Sequence, residues 1–145
     1  MSTLCGILLL CWLSFTVNAQ DKKAPWPQLS AYHSVMSGTF HPAEEGNLKP
    51  IREKSGELVT KAEEWKKSTA PAAYNKPGLK EKLDLLVTES KGVDKLVKDN
   101  AKDEELTKAL TKLHDRFHEI VGICTGESHE GHDHGHDHGH EGHKH

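Results

Sequence analysis

Twelve histidines run through the 145-residue chain in two different settings. Eight of them, His129, His132, His134, His136, His138, His140, His143 and His145, alternate with Gly, Asp and Glu in GESHEGHDHGHDHGHEGHKH. Neutral imidazole is the commonest metal-ligating side chain. Glycine lets a backbone wrap a cation, and carboxylates add oxygen ligands and negative charge. Imidazole with carboxylate suits Zn, Cu, Ni or Co without choosing among them. Several weak, exchangeable binding modes are expected of such a tail, rather than one fixed site. The bland alternative is a soluble low-complexity segment. An expression tag is usually a plain histidine run, and the interleaved acids argue against one. The segment carries five acids and one lysine. As the pH falls through about 6.5 its imidazoles gain protons and metal affinity drops.

The other four are His33, His41, His114 and His118. In TKLHDRFHEIVGIC, residues 111–124, His114 and His118 stand four apart and Cys124 follows. Two imidazoles at i and i+4 meet on a helix surface and can share one ion. At 100° per residue, His114 falls about 40° from Leu110 and His118 about 80°. Both therefore sit on the edge of that helix's apolar arc, facing a neighbour. The same construction from Leu29 puts His33 at about 40° and Met36 near the centre of its arc. Counting inward from the ends of an antiparallel pair brings His33 level with His118, and Met36 near His114 or Asp115. A His33, Met36, His114, His118 cluster is therefore expected, and a thioether among imidazoles favours Cu(I). His41 and Cys124 complete the set of candidate ligands. Each has an ordinary reading as well. Met36 fills a core gap, Cys124 is a small buried hydrophobe, His41 caps a turn beside Pro42, and a histidine pair on a helix edge arises by chance.

Four helices must position these groups. The first is expected over 28–40, with Leu29, Tyr32, His33, Met36 and Phe40 on one side, ended by Pro42 and Gly46. The second spans 49–68, with Pro50 in its first turn and a stripe of Ile51, Ser55, Leu58, Ala62 and Trp65. The third spans 77–99, facing inward with Leu79, Leu83, Leu86, Val93 and Leu96 or Val97. Gly92 costs it about 1 kcal/mol against alanine and marks a candidate kink. The fourth spans 103–124 with Asp103 as N-cap, and its apolar face runs Leu106, Leu110, Leu113, Phe117, Ile120, Val121, Cys124. No stretch alternates with the period of a strand. The expected fold is all-α, an up-down-up-down four-helix bundle over residues 20–125. The tail, 126–145, has no apolar residue and should be disordered without a ligand.

Residues 4–17, LCGILLLCWLSFTV, are too short a run to span a membrane comfortably. Val17-Asn18-Ala19 suits cleavage before Gln20, so residues 1–19 read as a secretory signal peptide. Its n-region lacks Lys and Arg. Removing it takes Cys5 and Cys11 and leaves Cys124 alone in the mature chain, which excludes an internal disulfide. The thiol is then buried, paired with another chain or metal-bound. Net charge is −3, and Lys and Arg are spread among acids in EKSGELVTKAEEWKK and LKEKLDLL, so no nucleic-acid partner is expected. There is no phosphate-binding Gly-rich loop, Gly-x-Ser-x-Gly, His-Glu-x-x-His or Cys-x-x-Cys-His, and no Glu-x-x-His pair for a di-iron site. An enzyme is the least supported class.

A secreted bundle with Met36 on its first helix and His114 or His118 on its last resembles the periplasmic cytochrome b562 family. That resemblance implies non-covalent haem b held between a methionine and a histidine, for electron transfer. Two departures stand out: His33 lies one turn from the methionine, and the last helix has two histidines. Both favour a small ion over haem. The tail is similar to the histidine-rich segments of periplasmic zinc-uptake and nickel-handling proteins, which implies metal handling. The expected function is a secreted or periplasmic buffer, scavenger or chaperone for copper or zinc, exchanging ions with a transporter or acceptor protein. No membrane span should remain after cleavage. A b-type haem bundle and a structural bundle whose tail alone touches metal are the alternatives.

Overall fold

A computed structural model describes residues 25–126; the expected leader and the tail histidines from His129 onward lie outside the described residues. The described chain is all-helical: α1 Pro27–Glu44, α2 Lys49–Lys67, a single 3₁₀ turn at Ala72–Tyr74, α3 Leu79–Lys98 and α4 Asp103–Thr125. Each α-helix packs on its neighbours in sequence, and α4 also packs on α1. None of these helices is long and apolar enough to cross a membrane.

Helix α1 runs four residues beyond its expected end, because Pro42 lies inside it. The missing N–H belongs to the last turn, so the interruption is mild there. The helix ends at Glu44, just before Gly46, the other expected breaker, whose φ of +83° is a left-handed conformation that a side chain resists. Asn47 N–H then donates to the Pro42 carbonyl and Gly46 N–H to that of Ala43, at 2.8 and 3.0 Å. This pair of bonds closes the orphan carbonyls of a helix end. The same pair ends α3 around Asn100, from Ala101 to Leu96 and from Asn100 to Val97.

Two other boundaries differ from the sequence reading. Asp103 is the first residue of α4 rather than its N-cap, which is Lys102. Its carboxylate instead accepts from Arg52 at 2.7 Å, and Arg52 also donates to the Ala101 carbonyl. Helix α3 begins after Pro77 and continues through Gly92 to Lys98.

The core is one cluster drawn from all four helices. The α2 stripe is buried as Ile51, Ser55, Leu58, Ala62 and Trp65. On α1 the buried set is Tyr32, Val35, Met36, Thr39, Phe40 and Ala43, wider than a single stripe because this helix meets both α2 and α4. His33 is exposed and Leu29 only partly buried. Trp26, just before α1, is buried as well. Its indole stacks on Tyr74, lies edge-on to Trp65, and donates to Ser68 Oγ at 2.8 Å. The charged faces are tied across helices: Lys66 pairs with Asp84, Lys91 with Glu63, and Arg116 makes two hydrogen bonds to Glu89.

Candidate metal centre

Helix α4 carries the pair that the sequence singles out. His114 and His118 are one turn apart, and their Nε2 atoms lie 3.1 Å from one another. The rings meet nearly edge to face, with planes at 76°. Two nitrogens bound at 2.0–2.1 Å to a shared tetrahedral ion stand roughly 3.3 Å apart. The observed spacing is close to that value without any rotamer change. As a hydrogen bond the contact needs a proton on one Nε2; an ion between them needs both as lone-pair donors, with each proton on Nδ1.

The two imidazoles have different surroundings. His114 is half-buried, its ring stacked on Phe40 of α1 with centroids 3.8 Å apart and planes within 9°. Burial pulls its pKa down to about 4, and the nearby His118 adds to the shift. The Asp115 and Glu44 carboxylates oppose it, and His41 works in the same direction as His118. At neutral pH this imidazole is therefore unprotonated, the state that binds a metal. His118 is exposed, and its ring meets Phe117 edge-on at 5.5 Å.

The other candidates are distributed around the pair. His33 is exposed and lies flat on Phe117 at 5.1 Å, so Phe117 touches both His33 and His118. Met36 has no exposed surface. Exchangeable ions, or a haem, reach its sulfur only if the packing around it opens. His41 is in the last turns of α1, not in a turn beyond it, and its Nδ1 lies 3.1 Å from Glu44 Oε2 on the surface. Cys124 is buried near the end of α4. Among the described residues, no three His, Cys, Asp or Glu side chains converge on one point that could hold an ion. The eight tail histidines lie outside the described residues.

Sequence reasoning did not find Phe40 as the platform beneath His114. Simple level counting places Met36 there. Side chains on a helix lean toward its N-terminus. In a pair of opposite direction, Phe40 and His114 therefore lean toward one another and meet from about a turn apart. Phe117 belongs to the core, as its place in the apolar stripe predicts, and its ring also contacts His33 on α1 and His118 on α4. No protein-family model matches the chain, and neither the curated proteins nor the solved structures contain a match.

Proposed function

We propose that the protein binds a transition-metal ion, copper or zinc, outside the cytoplasm, as a buffer, scavenger or chaperone. The observation that carries this reading is the 3.1 Å separation of the His114 and His118 Nε2 atoms, close to the spacing of two ligands on one ion. The burial that keeps His114 unprotonated supports it. The helices form an up-down-up-down frame that fixes His114 against Phe40, and the histidine-rich tail from 126 to 145 collects ions. Residues 1–19 direct export and are removed. The chemistry is holding and passing ions, with a transporter or acceptor protein as partner, and no catalysis.

The test is titration of the metal-free full chain with Zn(II), followed by equilibrium dialysis. One equivalent should bind more tightly than the rest, and His118→Ala, an exposed position, should remove that equivalent while leaving the helical content unchanged. A tight equivalent that survives this substitution would leave the tail as the sole binding element and would overturn the role of the pair.

A further inference from the structure

Leu85 is the one large apolar side chain left exposed among the described residues, at 43%. A single exposed leucine is ordinary, but this one is aligned with two other features of α3. Three helical turns further on, Leu96 lies within about 20° of it around the helix. Leu96 is half-buried and lines a groove of about 800 Å³ on the outer seam of α3 and α4, opposite Ala109. Gly92 falls between the two leucines on the same face. Glycine inside a helix weakens it, and a Cβ at this position would meet nothing within 4 Å. The face therefore carries a knob at one end, a hollow at the other and bare backbone between them.

The charges around the groove add a second observation. Lys82 of α3 pairs with Glu119 of α4, and Glu89 with Arg116 and Lys112, which fixes the register of the two helices. Leu85 is then level with the turn after Asp115. Lys108 and Asp115 stand on the rim of the groove two turns apart, and neither forms an ion pair among the described residues.

We propose that a second copy of the chain docks on this seam, with α3 antiparallel to α3 of the other copy about a two-fold axis level with Ser90 and Lys91, so that each Leu85 enters the groove at Leu96 of the other copy. A two-fold contact of this kind fills both grooves at once. Gly92 lets the two backbones approach closely near the axis. The same axis brings Asp115 within a turn of Lys108 of the other copy, and Lys108 within a turn of that copy's Asp115. The two charges left unpaired within one chain are thus matched across the interface, which fixes its register. No metal ion takes part, and the histidine pair is not involved.

Sedimentation equilibrium of the full chain in EDTA is the test, since the chelator removes any metal bridge. The mass should rise from monomer to dimer with concentration. Leu85→Lys places a lysine one turn from both Glu81 and Glu89, so the helix tolerates it. It should weaken the dimer at least tenfold with unchanged helical content. Gly92→Gln should also weaken the dimer, while the monomer gains stability in urea melts because the site is open. Lys108→Asp and Asp115→Lys should each weaken the dimer, and the two together should restore it. A monomer at every concentration up to the millimolar range overturns the proposal and leaves the groove to a different protein. A dimer that survives Leu85→Lys overturns it in favour of another face. Failure of the double charge reversal to rescue the dimer overturns the antiparallel register.

Discussion

The imidazole of His114 lies flat on the phenyl ring of Phe40, 3.8 Å between centroids, and this contact joins α1 to the candidate metal pair on α4. It fixes one ring of the pair and shields it from water on that face. It also makes the protonation of His114 depend on a residue of another helix. Phe40→Leu keeps most of the apolar volume but removes the flat platform. The His114 pKa should rise from about 4 toward its ordinary 6.5, as read by NMR titration of the imidazole protons. Phe40→Ala should in addition destabilise the fold by about 3 kcal/mol, through lost burial and a cavity.

The pH dependence of stability follows from the same shift. The folded His114 titrates near 4 and the unfolded one near 6.5, so the unfolded chain takes up the proton first as the pH falls. The stabilisation is complete above 6.5, declines between 6.5 and 4, and is gone below that range. Because His114 is only half-buried, solvent screening reduces the effect to about 1 kcal/mol. Urea melts of the metal-free protein at pH 7.5 and 4.5 should show it. His114→Gln should lessen the difference by that amount.

Metal should stabilise the folded chain by mass action, since the pair is assembled only when α4 is helical. Free Zn(II) at a hundred times its dissociation constant should add about 2.7 kcal/mol. His118→Ala should lose most of that gain while melting near the wild type in chelator. An unchanged metal-induced shift in this variant would contradict the placement of the ion.

Arg116 holds Glu89 of α3 with two hydrogen bonds of 3.1 Å, and both side chains are 14% exposed. Burial pushes the Glu89 carboxyl up, but hydrogen bonds from Arg116 and Lys112 outweigh it and hold the pKa below the usual carboxylate range. Arg116→Ala should cost about 2 kcal/mol in denaturant melts, because it strands a largely covered carboxylate. Arg116→Lys should recover only part, since an ammonium cannot make the paired contact.

Ser68 accepts the only hydrogen bond seen from the Trp26 indole among the described residues, at 2.8 Å. Ser68→Ala leaves that buried donor unmatched and should cost about 1–2 kcal/mol. Trp26→Phe removes the donor and should make the serine substitution nearly neutral, which a double-mutant cycle would measure.

How much could be read from the chain varied by helix. In α2 all five expected inward residues are buried, because a polar sequence with one sparse stripe permits one orientation only. In α1 the buried face is wider than the stripe that periodicity predicts. Val35, Thr39 and Ala43 are buried because two helices cover this one from different sides, which periodicity does not reveal. Thr39 is accommodated by donating to the carbonyls of Val35 and Met36. Of the two stop signals, Pro42 and Gly46, only the hydrogen-bonded turn at Gly46 sets the end. At the candidate site, the i and i+4 spacing alone anticipates that His114 and His118 touch. The stacking of His114 on Phe40, and of His33 on Phe117, depends on how side chains lean between two helices, and no single-helix projection contains that.

The aromatic contacts around Phe117 give the protein an optical gauge of its own. Phe117 lies 6.0 Å from Trp65 and 5.5 Å from His118, so that indole is two ring contacts from the histidine pair. A paramagnetic ion such as Cu(II) seated there would quench Trp65 emission, while an ion carried far out on the tail would leave it bright. Trp26 and Trp65 are the only indoles among the described residues. Loading of the helix site could therefore be followed by fluorescence in real time, without a label.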